Sequence, residues 1–420
     1  MFHPSRSQFS FLAKLTAVYE KHKLEAEREA RLRSARRLVI KLGTSTVTGL
    51  TGDLCEERVE PIVGSITELS KSGRQVVLVS SGAVGLGRAW LGLHQSRLGD
   101  VVTKQACAAV GQSLLMDAYK RLFSAYEIKV AQVLLTEEDF TVWRRYSNLR
   151  HTIEKLLQFG VVPIINENDT VSTAELAAVA AGRRATAFGD NDRLAALVMS
   201  GLEADALVLL TNVDGFIRGG NSVPASASQG LRPVSAPCEV IPLVDEITTE
   251  LRALASGPSA SGRGGMITKL AAAEIAMHCG GTAVIANGRI PNILDRIFSG
   301  ERVGTAFLPL KRMRGKRRWI AFAAEPQGRI VVDAGAERAI TQGKASLLSS
   351  GIARIERQFA PKDVVSIVSR DGREIARGIA SCASHEAERL LGKPGGVAGK
   401  GPRASASRIL VARDNIILLQ

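Results

Sequence analysis

The chain of 420 residues has no cysteine framework. Its five cysteines, Cys55, Cys107, Cys238, Cys279 and Cys382, are odd in number and scattered. No C-x-x-C pair or Cys/His cluster occurs, which excludes a disulfide scaffold and a zinc site of the usual spacing. Free thiols of this kind fit a reducing, cytoplasmic compartment. The six histidines fall in no Ser/His/Asp or metal-ligand pattern, so histidine-based nucleophilic catalysis has no support. No uninterrupted apolar run is long enough to span a bilayer, so no membrane partner is expected. No G-x-x-x-x-G-K-[ST] sequence occurs, so a phosphate site here is not a Walker A loop.

What is present is an ordinary globular composition, 45% hydrophobic and 23% charged, with a net charge of +14. The charge is unevenly placed. Residues 1–37 carry net +5, 38–310 net −2, 311–318 net +6 and 319–420 net +5. The large middle region is therefore close to neutral. The basic excess sits at the two ends and in the segment Lys311-Arg312-Met313-Arg314-Gly315-Lys316-Arg317-Arg318, a solvated connector or an attractor of RNA.

This divides the chain into an N-terminal charged helical extension (1–37), an α/β domain (38–310), a basic linker (311–318) and a β-rich domain (319–420). In the extension, Leu15–Arg37 reads as a helix. Its Glu20, Glu25, Glu27 and Glu29 argue against a transit peptide, which would be acid-poor. The middle region alternates short apolar runs (Leu38–Leu42, Gln75–Val79, Lys129–Leu134, Val161–Ile165, Ala206–Leu210, Thr282–Ala286) with helical patterns (Glu57–Ser70, Lys104–Tyr126, Asn148–Leu157, Asp192–Met199, Thr248–Leu254, Thr268–His278). That alternation predicts an αβα sandwich with a mostly parallel sheet. Beyond the linker, Trp319–Phe322, Arg329–Val332, Ala353–Gln358, Val364–Ser369, Glu374–Ile379 and Ile409–Val411 read as strands. One helix, Ala334–Gln342, interrupts them, and Gly392–Ser407 reads as a flexible loop. This predicts a small barrel-like domain.

Candidate chemistry gathers at the carboxyl ends of the strands, where ligands of open α/β sheets bind. The first strand ends in Lys41 and opens into Gly43-Thr44-Ser45. A cation beside backbone N–H donors suits a phosphate, although a snorkelling surface lysine gives the same pattern. The second ends in Ser80-Ser81-Gly82-Ala83, a turn that can hold an anion or simply cap a helix. The fourth ends in Asn166-Glu167-Asn168-Asp169, and Gly189-Asp190-Asn191-Asp192 opens a helix some twenty residues later. Such a cluster can recognise an α-amino group, hold Mg2+ or orient basic side chains; turns and caps use the same residue types. The fifth ends in Thr211-Asn212-Val213-Asp214-Gly215-Phe216, compatible with a nucleotide-base pocket. Last, Arg263-Gly264-Gly265-Met266-Ile267-Thr268-Lys269 runs from glycines into a helix whose first turn carries Lys269, which makes a phosphate cradle. No general base is evident. A carboxylate nucleophile needs none, since a Glu side chain with pKa about 4.3 is already ionised at neutral pH. Catalysis would then rest on positioning and on cations.

In their order and spacing, Lys41-Leu-Gly-Thr-Ser, Ser81-Gly-Ala, Gln105 to Gln112, Asn166-Glu-Asn-Asp, Gly189-Asp-Asn-Asp and Gly264-Gly-Met-x-Thr-Lys resemble the amino acid kinase superfamily. Within it they resemble the members that phosphorylate the γ-carboxylate of glutamate at the start of proline synthesis. The region from Trp319, with Val332-Asp333-Ala-Gly335-Ala and Gly343-Lys-Ala-Ser-Leu-Leu, is similar to a PUA domain. The resemblance implies catalytic roles for Lys41 and Lys269, with Asp192 orienting both. It implies L-glutamate binding by Ser81, Asp169 and Asn191. ATP would be held by Lys41, Gly43, Thr44, Thr211, Asn212 and the loop Arg263, Gly264, Gly265, Met266, Ile267, Thr268, Lys269. Mg2+ would arrive with ATP, and no metal ligand on the chain is assigned. The resemblance further implies proline as a feedback inhibitor, assembly into a homo-oligomer and transfer of product to a glutamyl phosphate reductase, for which a chain of this length leaves no fused half. RNA is a further partner class raised by the PUA-like domain. An aspartokinase-like carboxylate kinase is the same-fold alternative. Three positions depart from the pattern: Asn212 replaces a usual Asp, Arg263 replaces a small residue, and Ala174–Phe188 is long and Ala-rich.

Overall fold

A computed structural model describes residues 6–49, 51–94, 100–136, 138–172, 191–217, 239–255, 265–313, 315–343, 345–389 and 409–419, with 6–18 as backbone. The chain forms two compact units, one of Met1–Asp139 with Ser147–Arg312, the other of Phe140–Tyr146 with Met313–Gln420.

The first unit is built on an eight-stranded sheet. In chain order its strands are β1 (Arg37–Leu42), β2 (Gln75–Ser80), β3 (Lys129–Leu135), β4 (Val161–Glu167), β5 (Ala206–Thr211), β6 (Leu243–Val244), β7 (Thr282–Asn287) and β8 (Thr305–Phe307). The spatial order is β3-β4-β2-β1-β5-β7-β8-β6. The first six in that order are parallel; β8 runs antiparallel to β7, with Ala283 opposite Phe307. Central strands are covered on both faces, so Leu38, Val39, Ile40 and Leu42 of β1 are all fully buried. This is why the strands read as unbroken apolar runs. The helices that bear on the site are α1 (Arg6–Ser34), α2 (Glu56–Lys71), α3 (Ala83–Trp90), α4 (Val101–Ser124), α5 (Asn191–Leu202), α6 (Met266–His278) and α7 (Ile293–Phe298). Six expected strands and six expected helices are present, each within a few residues of its expected ends. The two- and three-residue strands β6 and β8 carried too little pattern to foresee.

The chain passes from β1 to β2 on one side and later returns to β5 on the other. The carboxyl ends of β1 and β5 therefore flank a topological switch point, the usual location of a ligand crevice. In register, Lys41 lies opposite Val79 of β2 and Leu209 of β5.

The N-terminal helix is less of an appendage than its charge suggests. Leu32, near its end, is fully buried in the main core. The buried Arg28 donates to the carbonyls of Gly300 and Glu301 just past α7, and Arg33 donates to Ser299 O at 2.8 Å. Glu25 pairs with Arg302. The charged sequence around Leu32 hides this apolar anchor.

The second unit holds a six-stranded sheet in the order β10-β14-β13-β12-β9-β11. Its strands are β9 (Gly328–Val332), β10 (Leu347–Leu348), β11 (Ile352–Arg357), β12 (Val364–Val368), β13 (Glu374–Ala380) and β14 (Ile409–Leu418), with the helix Ala334–Thr341 after β9 and the short helix Ser384–Glu388 after β13. Ile330, Val332, Val365, Ile367, Ala376 and Val411 form its core. The expectation of a strand over Trp319–Phe322 is wrong: Trp319–Ala323 is a wide helical turn. Its aromatic and β-branched content suggested a strand, but packing decides otherwise. Trp319 Nε1 donates to Phe140 O at 2.8 Å, and its ring meets Trp143 edge-on at 5.4 Å. These contacts are what join Phe140–Tyr146 to this unit. The expected loop over 392–407 lies outside the described residues.

Candidate active site

Lys41 ends β1, and Lys269 sits in the first turn of α6. The structure brings both to one carboxylate. Lys41 Nζ lies 2.7 Å from Asp192 Oδ1, and Lys269 Nζ lies 2.9 Å from Asp192 Oδ2. Thr268 Oγ1 adds a hydrogen bond to Oδ2 at 3.2 Å. Asp192 is fully buried, while Lys41 and Lys269 retain 5% and 7% exposure. Burial alone pushes the Asp192 carboxyl up. The two ammonium groups outweigh it and hold the carboxyl well below the usual carboxylate range. Two cations on one anion leave one surplus positive charge, partly desolvated at a strand-end crevice. Such a surplus is costly to bury for stability alone and suits an incoming anion.

Beside this charged cluster lies a neutral one. Asn191, the first residue of α5, donates from Nδ2 to Ser80 O at 3.0 Å, Ser81 Oγ at 2.8 Å and Asn166 Oδ1 at 3.0 Å. Asn166 in turn donates to Gln112 Oε1 at 2.9 Å. Ser81 follows β2 in a turn closed by Gly82, whose φ of 112° lies in the left-handed region. Conformation therefore favours glycine, and a Cβ there would also stand a tight 3.1 Å from Val47 Cγ1. Ser81 and Asn191, both expected to bind L-glutamate, thus share a hydrogen bond. Asp169 lies half-buried in the turn after β4.

The remaining expected residues are distributed around the same edge. Gly43 N donates to Leu210 O at 3.2 Å, and Thr44 is exposed at the start of a single helical turn after β1. Thr211, ending β5, lies against Asn212, its Oγ1 3.4 Å from Asn212 Oδ1. Gly265 caps α6 in an extended conformation, Met266 packs inward, and Ile267 stands 52% exposed. Arg263, Gly264 and the Ala174–Phe188 segment lie outside the described residues. Among the described residues no three His, Cys, Asp or Glu side chains converge to hold a metal. With Asp192 already held by two ammonium groups, the donor set fits a divalent ion carried largely by nucleotide phosphates, as Mg2+ commonly is. The roles of Asn166 and Gln112 were not assigned from the sequence, although both lie in motifs that it displays.

A family model described as the amino acid kinase family matches residues 36–287, and a second, the PUA domain, matches 328–396. The chain belongs to the amino acid kinase family. Within it the chain is similar to curated relatives over nearly its whole length. It is 43% identical to the glutamate 5-kinase of Moorella thermoacetica over 94% of this chain and 99% of that one. It is 42% identical to the glutamate 5-kinase of Caldanaerobacter subterraneus over 85% and 90%, and 45% identical to that of Myxococcus xanthus over 86% and 90%.

Proposed function

We propose that this chain is an ATP-dependent glutamate 5-kinase: it transfers the γ-phosphoryl group of ATP to the γ-carboxylate of L-glutamate, giving L-glutamyl 5-phosphate, the first step of proline synthesis. The observation that carries this reading is the Lys41–Asp192–Lys269 cluster, flanked by the Ser81–Asn191 amide site at one sheet edge.

The chemistry follows from the geometry. The nucleophile is the substrate carboxylate, ionised at neutral pH, so no general base is required. Catalysis rests on bringing two anions together and stabilising charge on the transferring group. Lys41 and Lys269 supply that stabilisation, and Asp192 fixes both ammonium groups before substrate arrives. Gly43, Thr44, Thr211, Asn212 and the loop into α6 hold the nucleotide. Ser81, Asp169 and Asn191 hold glutamate. A divalent ion such as Mg2+, arriving with the nucleotide, would supply further neutralisation of phosphate charge. The product is an acyl phosphate, a mixed anhydride open to hydrolysis, which favours prompt use by a glutamyl phosphate reductase. Proline as feedback inhibitor on the glutamate side, a homo-oligomeric assembly and a cytoplasmic setting complete the reading. Among the described residues no helix is long and apolar enough to cross a membrane.

The test is ATP turnover with Mg2+ and L-glutamate, trapping the acyl phosphate with hydroxylamine. Glutamate-dependent hydroxamate is the expected product. Hydroxamate formed with aspartate and not glutamate would replace the substrate with that of an aspartokinase. No turnover, together with RNA binding that weakens steeply with salt, would replace the kinase reading altogether.

A further inference from the structure

Helix α4 carries three hydrogen-bonding side chains along one face. Gln105, Gln112 and Tyr119 recur every seven residues, which places them on one helix face two turns apart. Each reaches a different segment of the glutamate side. Gln105 Nε2 donates to Ser172 O at 3.3 Å, beyond the end of β4. Gln112 Oε1 accepts from Asn166 Nδ2 at 2.9 Å. The fully buried Tyr119 OH shares a 2.7 Å hydrogen bond with Ser80 Oγ, and Ser80 Oγ reaches Ser81 O at 3.1 Å.

The two lower contacts end on the residues that receive the Asn191 amide. Asn191 Nδ2 donates to Asn166 Oδ1, which belongs to the side chain held by Gln112. It also donates to Ser80 O and Ser81 Oγ, which belong to the turn held by Tyr119. An amide has two N–H donors and one carbonyl acceptor. Three protein acceptors consume both donors, so Oδ1 is the group left to meet a ligand. A ligand that matches it must donate, as an α-ammonium group does. If Asn166 turned its amide over, an NH2 would face an NH2, and Asn191 would lose its fixed orientation.

The placement of α4 is itself tightly set. At its crossing with α3, a Cβ on Gly111 would lie 1.8 Å from Ala83 O, and one on Gly87 would lie 1.8 Å from Cys107 O. The helices touch backbone to backbone, next to the Ser81-Gly82 turn.

We propose that this face of α4, through Gln112 and Tyr119, positions the Asn191 amide and so sets the affinity of the site for the substrate's α-amino group. Both are positioning residues, and the inference rests on the reading of Asn191 as a glutamate ligand.

The test compares Gln112→Leu, Gln112→Glu and Tyr119→Phe with the unaltered full-length enzyme in the hydroxamate assay. Gln112→Leu removes the acceptor and should raise the KM for glutamate about tenfold, with kcat and the KM for ATP within about twofold. Gln112→Glu keeps an acceptor oxygen and should restore most of the glutamate affinity. Tyr119→Phe keeps the buried ring, removes one oxygen and should raise the glutamate KM about threefold. This variant decides the matter should Gln112→Leu fail to fold. An unchanged glutamate KM in the folded variants would overturn the proposal, as would a KM for ATP that rises in parallel. An unaltered enzyme without glutamate-dependent turnover would instead overturn the function on which the proposal rests.

Discussion

The two halves of the candidate site solve different problems with different materials. The proposed phosphoryl side is built from full charges: two lysines locked 2.7 and 2.9 Å from one buried aspartate. On the proposed glutamate side the Asn191 amide is held by neutral amides and hydroxyls in a directed chain, Asn191 to Asn166 to Gln112, with the Asp169 carboxylate in the turn after β4. Charge suits the first because negative charge develops and moves there during transfer, and preorganised cations stabilise it most where water is scarce. Around Asn191 neutral groups suffice because the substrate's charge does not change at its α-amino end. What is needed there is direction, which amides provide at lower desolvation cost than ions. Losses on the phosphoryl side should therefore appear in kcat, and losses on the glutamate side in the glutamate KM.

That contrast can be broken by substitution. Lys269→Ala should have the largest effect, lowering kcat about 100- to 1000-fold with the glutamate KM changed little, as read by hydroxamate formation. Asp192→Ala should come next in activity. Because it leaves two buried ammonium groups without their shared anion, it should also destabilise the fold by about 3–5 kcal/mol, measurable by denaturant unfolding. Asn191→Ala should raise the glutamate KM about 10- to 100-fold with kcat within a few-fold, which would place its effect on the other side of the division. Gly111→Ala should cost about 1–3 kcal/mol of stability by forcing α3 and α4 apart, and should raise the glutamate KM more than the KM for ATP.

The smallest effect concerns acid. Asp192 is held below the ordinary carboxylate range in the folded state, so its stabilising contribution is complete above about pH 4, the unfolded value. The contribution is lost only as pH falls through the lower folded value. Unfolding followed against pH should show no loss from this group between pH 5 and 8, and Asp192→Asn should flatten the acid limb below about pH 4.

Much of the first unit was legible because buried parallel strands must be apolar along their whole length. The runs at 38–42, 75–79 and 206–210 advertise β1, β2 and β5 directly. Lys41 and Lys269 stood out as cations at a strand end and after a glycine run, but a snorkelling lysine fits the first equally well, and their pairing came from the motif resemblance. Their convergence on Asp192 was not legible from any one segment, since Asp192 looks like an ordinary first-turn acid of a helix. The contacts of Gln112 and Tyr119 were not legible, for opposite reasons: a helical glutamine, even within a motif, reads as solvated surface, and a helical tyrosine reads as core. Trp319–Phe322 was misread because four residues of strand-like composition cannot announce that a tryptophan N–H will be claimed by Phe140 O. The anchor of α1 includes Leu32, an apolar residue in the strongly charged C-terminal half of the helix.

The most direct measurement is the pair of steady-state constants for Lys269→Ala and Asn191→Ala in the glutamate hydroxamate assay. The account predicts a collapse of kcat with near-normal glutamate KM in the first, and a raised glutamate KM with near-normal kcat in the second. Near-full kcat in Lys269→Ala, or the same pattern of change in both variants, would contradict it.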